Sequence, residues 1–383
     1  MRLLICSTGL ARHFNPLVPF IEAARERGDE VFVVVPPSYA QEVEALGVEH
    51  YLSDPPDPAK SKELWRRAAR LSHANAARLL DGEFFGRLST EAMLETVESA
   101  CDVFQPDLII REPCAYAGAV VAHRRGIAHA QVAISTARTE WSVLGLVGSI
   151  LDDFEEGMER VLRETHYLSR LPTSLDPSPF PRTLRYREDE VPEVAEPGRW
   201  VEGSGPLIYL TFGTVAGGLG TARLAFHYAI EALTGLDARV LVTTGRGFDR
   251  RLLGEVPTNV FVESWVPQAT VFPFASMVLC HGGSGTTYGA LAAGLPIVFV
   301  PMFADQRTNA RLITVAGAGV LVEVGSKSEP GFREIAATDV PRIRAAVLDV
   351  LSNSSYPLAA QVIAEEIAST GSARHCLEEL FAR

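Results

Sequence analysis

Short runs that are apolar on both faces constrain this chain more than any other feature. In the first half they are "RLLIC" (2–6), "EVFVVV" (30–35), "PDLIIR" (106–111) and "AHAQVAI" (128–134). In the second half they are "LIYLTF" (207–212), "ARVLVTT" (238–244), "NVFVESWV" (259–266), "MVLC" (277–280), "PIVFVP" (296–301) and "GVLVEV" (319–324). Strands without a polar face must be covered on both sides, which is the condition of a parallel sheet. Helical patterns lie between most of them, such as "PLVPFIEAARERG" closed by Gly28, "YAGAVVAHRRG", and much of 61–104. Strand and helix in alternation give α/β architecture with doubly wound, Rossmann-like parallel sheets.

The alternation occurs twice, and a stretch dense in Pro, Gly and charge, 171–206, interrupts it. A chain of 383 residues exceeds what one core usually serves, so two domains are expected. The boundaries read as a first domain at 1–185, a linker at 186–205 and a second domain at 206–355. Helices at 356–383 are expected to pack back on the first domain. The two sheets are expected to face each other across a cleft, with ligands at the carboxyl ends of their strands.

Net charge is −12, which excludes a phosphate-backbone partner. An anionic small ligand must then be held by local donors. The five cysteines are scattered, without a C-x-x-C pair, and read as reduced thiols of a cytoplasmic protein. The first apolar run is too short for a signal peptide, and no run reaches membrane-spanning length. No nucleic-acid or membrane partner is expected, and the chain is read as monomer or homodimer.

The chemistry concentrates in "MVLCHGGSGTTYGALAAGLPIVFVP" (277–301). A buried strand delivers His281 to its carboxyl end. Gly282, Gly283 and Gly285 allow close backbone approach, and Ser284, Thr286 and Thr287 open a helix. Free N–H groups and the dipole at a helix start suit a phosphate. No Lys follows the glycines, so this is not a nucleotide-hydrolysing P-loop. The alternative is a Gly-rich turn into a capped helix around a buried histidine. Upstream, in "WVPQ", Trp265 offers a flat face for a base beside Val266, and Gln268 reaches a base edge. Downstream, in "MFADQRTNA", Asp305 and Gln306 are placed to accept from sugar hydroxyls, or form a solvated loop pair. Base platform, phosphate loop and hydroxyl acceptor, in that order, describe a nucleotide-sugar site.

"WVPQ", "HGGSGTT", "GLP" and "PMFADQRTNA", in order within 265–310, resemble the donor motif of glycosyltransferase family 1, of GT-B fold. The order of elements agrees over nearly the whole chain. The resemblance is to bacterial natural-product and plant secondary-metabolite enzymes. It implies an inverting transferase moving a sugar from a dTDP- or UDP-linked donor to a small lipophilic acceptor such as a polyketide, macrolide or polyphenol. It implies no cofactor beyond that co-substrate, and no metal. The family's turn after the first strand carries a histidine, usually in G-H-x-x-P. Here His13 and Pro16 occupy those positions, with Arg12 in place of the usual Gly.

His13 is thereby implied as general base. Its orienting acid is usually an Asp, and "IIREPCAYAG" puts Glu112 at that position. "LTFGTVAGG" matches the loop near the diphosphate, giving Gly213 and Thr214 as contacts. Thr244 and Arg246 line the nucleotide pocket or a solvated loop. Ser135 and Trp141 fall where the acceptor pocket is lined, with 139–150 and 54–90 as its walls. The acidic run 151–160 reads as a solvated helical face rather than a metal site. Relatives using uridine commonly carry a Glu on the helix after the phosphate loop. Gly289 stands there, which favours dTDP over UDP. The rival readings are a nucleotide-sugar epimerase of the same fold, or a non-catalytic subunit assisting another glycosyltransferase.

Overall fold

The expected runs form strands in two separate parallel sheets. The computed structural model describes residues 1–188, 196–213, 222–303, 305–329 and 332–382. The chain divides into one unit of Met1–Asp189 with Thr370–Arg383, and a second of Glu190–Ser369.

In the first unit the strands are β1 (Arg2–Cys6), β2 (Glu30–Val35), β3 (Glu49–Leu52), β4 (Leu108–Arg111), β5 (Ala128–Val132), β6 (His166–Ser169) and β7 (Thr183–Arg187). In the second they are β8 (Leu207–Thr211), β9 (Arg239–Thr243), β10 (Val260–Glu263), β11 (Met277–Cys280), β12 (Ile297–Phe299) and β13 (Gly319–Leu321). A small antiparallel pair follows, β14 (Ser326–Glu329) and β15 (Phe332–Glu334). The last strand, β16 (Gly371–Ser372), returns to the first sheet beside β7.

The first sheet runs β16-β7-β6-β5-β4-β1-β2-β3 and the second β10-β9-β8-β11-β12-β13. Strand order therefore reverses between β1 and β4 in one, and between β8 and β11 in the other. Open α/β sheets carry their ligand crevice at that switch point, outside the carboxyl ends of the strands. The strands at these points are fully covered. Leu3, Leu4 and Ile5 of β1, and Met277, Val278 and Leu279 of β11, have no exposed surface. Each such side chain contributes about 1.5–3 kcal/mol by burial, so the strand ends are fixed and the loops after them inherit that rigidity.

Three features differ from the sequence-based expectation. The Pro-dense stretch from 171 contains β7, which pairs in parallel with β6 through Leu168 and Leu184, so this part belongs to the first sheet. The run 151–160 is not one helix. A helix ends at Leu151 and the next starts at Met158, with Gly157 left-handed (φ 80°) and the Asp152 side chain accepting from the Met158 N–H. Of the segment 356–383, the helix Ser355–Ala368 sits with the second unit, packed on the helix Ser284–Ala292. The helix Ala373–Phe381 buries Ala373, Cys376, Leu377 and Leu380 in the core of the first unit, against Val18–Glu26.

Candidate active site

At the first switch point, β1 ends and the chain turns at Gly9 (φ 76°), where a Cβ would stand 2.6 Å from Pro36. This turn feeds a single helical turn, Ala11–Phe14, that buries His13. β4 ends beside it and delivers Glu112, also fully buried. His13 Nδ1 lies 3.0 Å from Glu112 Oε2. Thr8 ties the two together: its hydroxyl donates to Glu112 Oε1 at 2.7 Å and lies 3.0 Å from His13 Nδ1. The Thr8 N–H donates to Oε1 at 3.0 Å, and the Cys114 N–H to Oε2 at 2.7 Å. Burial acts to raise the Glu112 carboxyl, but the adjoining His13 and these hydrogen bonds outweigh it and hold the group below its ordinary value. Nδ1 thus faces two oxygens whose own donor capacity is absent or already used, which fixes the proton on Nδ1. His13 Nε2 is left bare of hydrogen, buried and without a partner.

The helical chain over His73–Leu79 continues as a ten-residue π-helical stretch, Leu80–Ser89, and then as Thr90–Phe104. The π stretch packs on the helix Ala137–Leu151, where a Cβ at Gly82 would meet Ile150 at 3.0 Å. Such stretches often mark functional positions. This one lays the Phe85 ring on the His13 ring, 5.5 Å between centroids and 28° apart in plane. It also brings Asp81 within electrostatic reach. Burial pushes that carboxyl up to about 6, with Arg12 and His13 opposing. His13, Glu112 and Cys114 each offer one ligand atom to a common point, all within 4.8 Å. The donors do not suit an ion, because both Glu112 oxygens already take two contacts each. Burial, with Glu112 and Asp81, also keeps the Cys114 thiol protonated.

At the second switch point, β11 ends in His281, whose ring lies close against two glycines. A Cβ on Gly213 (φ 74°) would stand 2.9 Å from the ring, and one on Gly283 2.5 Å from it. Burial pushes the imidazole down to about 4, against a raising effect of Asp305, so it is neutral at pH 7. Its Nδ1 is buried without a partner. The helix Ser284–Ala292 begins at once, with Gly283 at its cap and no side chain capping it. Gly285 faces open space, and Thr286 is buried in the first turn. Gly282 (φ 90°) is needed for packing, since a Cβ there would meet the Gln306 carbonyl at 2.8 Å.

The remaining candidates divide by what already occupies them. Trp265 is exposed, Val266 is half-buried, and the Arg246 guanidinium lies over the Trp265 ring at 4.8 Å. The Gln268 amide donates to Thr286 Oγ1 at 3.0 Å. The Ser284 hydroxyl donates to Asp305 at 3.3 Å. Gln306 Oε1 accepts from the N–H groups of Met302 (2.8 Å) and Phe303 (3.0 Å), so only its amide N–H is left for a ligand. Asn309, not singled out by sequence, ties the loop by donating to the Gly282 carbonyl at 3.0 Å. Thr244 is buried, with its hydroxyl directed to backbone carbonyls. The Ser135 N–H donates to Glu140 at 2.8 Å. Trp141 packs edge-on against Phe180 (4.9 Å) under the Arg163 guanidinium (4.2 Å), which commits it to packing within the first unit. Thr214 lies outside the described residues.

Two parallel α/β units, each with its polar loops at the strand-order reversal, make up a GT-B fold, and solved structures agree. The glycosyltransferase VinC in complex with dTDP superposes with a TM-score of 0.77 at 21% identity, over 100% of this chain and 99% of that one. The spinosyn rhamnosyltransferase SpnG gives 0.78 at 22%, over 99% and 100%. Residues 22–152 and 227–382 match the N-terminal and C-terminal domains of the family described as erythromycin biosynthesis protein CIII-like. The elloramycin glycosyltransferase ElmGT of Streptomyces olivaceus is 31% identical, covering 90% of this chain and 94% of that protein. The tylactone mycaminosyltransferase of Streptomyces fradiae is 27% identical, over 84% and 81%. The chain belongs to this family of natural-product glycosyltransferases. Among the described residues, no helix is long and apolar enough to cross a membrane.

Proposed function

We propose that this enzyme transfers a sugar, with inversion, from a nucleotide-diphospho-sugar to a hydroxyl of a small lipophilic acceptor. The observation that carries the reading is His13: Nδ1 is held by Glu112 and Thr8, and the buried Nε2 has no partner. A neutral imidazole with a free ring nitrogen suits a base working near neutrality. The acceptor proton passes to Nε2, and Glu112 stabilises the imidazolium that forms. The acceptor oxygen bonds to the anomeric carbon from the face opposite the diphosphate, and the bond to the diphosphate breaks. The charge gathering on the leaving group meets the uncapped start of Ser284–Ala292 and the imidazole of His281. Product formation is tested by mass spectrometry, with dTDP- and UDP-sugars offered against polyketide, macrolide and polyphenol acceptors. Absence of any glycosylated product across the panel counts against the reading.

The chain provides neutral and backbone donors for the diphosphate, so transfer is expected to need no metal. Initial rates should survive EDTA. A loss restored by magnesium or manganese would reveal a metal requirement.

The donor nucleotide is proposed to be dTDP. A neighbour of the same fold is solved with thymidine diphosphate. In this chain a Cβ at Gly289 would meet the Phe272 ring at 2.8 Å and point toward Gln268 Oε1 at 3.8 Å. The aromatic ring therefore fills the position from which a side chain at 289 would reach a ribose hydroxyl. A buried 2′-hydroxyl left without a partner costs about 1–3 kcal/mol. Calorimetry should give tighter binding of dTDP than UDP to the wild type. Preference should move toward UDP when Gly289→Glu is combined with Phe272→Leu, which clears the ring. Tighter UDP binding by the wild type would refute the assignment.

A further inference from the structure

The apolar ends of β4 and β5 carry two polar residues that no part of the transfer chemistry uses, Arg111 and Gln131. They are direct cross-strand partners, and both are essentially fully buried. Burying a guanidinium costs several kcal/mol unless it is fully bonded, and apolar residues in such places are often as stable or more so. Here the two terminal nitrogens carry all the bonds, and Nε is buried without a partner. One Arg111 nitrogen donates to the backbone carbonyls of Glu112 (3.1 Å) and Pro113 (3.2 Å), and the other to Gln131 Oε1 at 2.8 Å. Gln131 Nε2 donates onward to Glu140 Oε2 at 2.8 Å. Glu140 stands in the first turn of Ala137–Leu151. Its other oxygen accepts the N–H groups of Ile134 (2.9 Å) and Ser135 (2.8 Å). Burial pushes this carboxyl up to about 8 against the opposing effect of these hydrogen bonds.

The two ends of this chain of hydrogen bonds are the loops that follow β4 and β5. The first carries the Glu112 carboxylate and the Cys114 N–H that holds it. The second leads into Ala137–Leu151, the helix against which the π-helical stretch bearing Phe85 packs. We propose that Arg111, Gln131 and Glu140 are positioning residues. They fix the carbonyls of Glu112 and Pro113, and so aim the Glu112 carboxylate at His13 Nδ1, in register with the helix Ala137–Leu151. This rests on the reading of His13 as the base.

Gln131→Met removes the middle of the chain while leaving both loops and His13 unaltered. The expected result is a fall in kcat of roughly tenfold or more, the size that a small misplacement produces, with an unchanged KM for the nucleotide-sugar. The His13 imidazole titration, followed by NMR without substrates, is expected to shift. The rescue is Gln131→Glu combined with Glu140→Gln. It exchanges amide and carboxyl, keeps the Arg111, Ile134 and Ser135 donors facing acceptors, and sets the carboxylate directly on Arg111. It should regain wild-type kcat and the wild-type His13 titration. A folded Gln131→Met enzyme with unaltered kcat and titration overturns the proposal. So does a folded double variant whose kcat and His13 titration both stay away from wild type, a comparison with wild type that decides the matter if Gln131→Met fails to fold. The NMR readout needs no catalysis. If His13 is not the base, His13→Ala keeps its turnover while the titration still reports on the positioning.

Discussion

His13→Ala is expected to lower turnover by about 10²–10⁴, the usual contribution of a positioned general base. Binding of the nucleotide-sugar should stay near wild type, because His13 belongs to the first unit and the loop proposed to hold the diphosphate to the second. The variant leaves a cavity under Phe85 and deprives Glu112 of one of its four contacts, with the Thr8 and Cys114 donors still in place. The loop after β4 should therefore hold its shape, and thermal unfolding should separate lost chemistry from lost fold. Wild-type turnover on a hydroxyl acceptor would remove His13 from the mechanism. Thr8→Val makes a useful companion, since it deletes the hydroxyl between His13 and Glu112 and leaves the direct 3.0 Å contact. Its effect should be smaller than that of His13→Ala.

The same residues show what sequence can and cannot disclose. Strands apolar on both faces were legible because burial on two sides leaves no polar alternation to confuse. β3, β6 and β7 were not. "EHYL", "HYLS" and "TLRYR" mix polar and aromatic residues, and β7 sits in a Pro-rich stretch that reads as linker. Its membership comes from pairing with β6, a tertiary fact.

In the site, the glycines and His281 stood out because strand, turn and helix start are neighbours in sequence. Glu112 came from resemblance alone, since the fold brings it to a turn 104 residues away. Thr8 has no sequence signal for the same reason. A hydroxyl after a strand is ordinary, and only the adjacency of β1 and β4 gives it a carboxylate to bond. Phe85 carried no local signal either, because a π-helical stretch shifts the face that a 3.6-residue period would assign. Gln306 shows the opposite error. It read as an acceptor for hydroxyls, yet the fold spends its carbonyl oxygen on two backbone N–H groups.

Gly283→Ala is expected to weaken nucleotide-diphosphate binding strongly while sparing the fold. Gly283 caps its helix in an extended conformation (φ −64°, ψ 142°) that any residue adopts, so the backbone imposes no strain on alanine. The obstruction is local: the new methyl would lie 2.5 Å from His281 Nε2 and 2.8 Å from Cε1. Gly213 also lies close to the ring, where a Cβ would come within 2.9 Å of Cε1. The imidazole must leave its place. With it goes the alignment of a neutral N–H donor with the helix start. A hydrogen bond to a charged group contributes about 1.5–3 kcal/mol, which corresponds to roughly 10- to 150-fold in affinity. Calorimetric titration with dTDP and UDP measures the loss, and thermal unfolding checks that the second unit is intact. His281→Ala should lose a similar amount, and the double variant little more than either single one, because both act through the same ring. Wild-type affinity in a folded Gly283→Ala enzyme would mean that the diphosphate does not lie against His281. Full additivity in the double variant would mean that the glycine and the histidine serve the ligand separately.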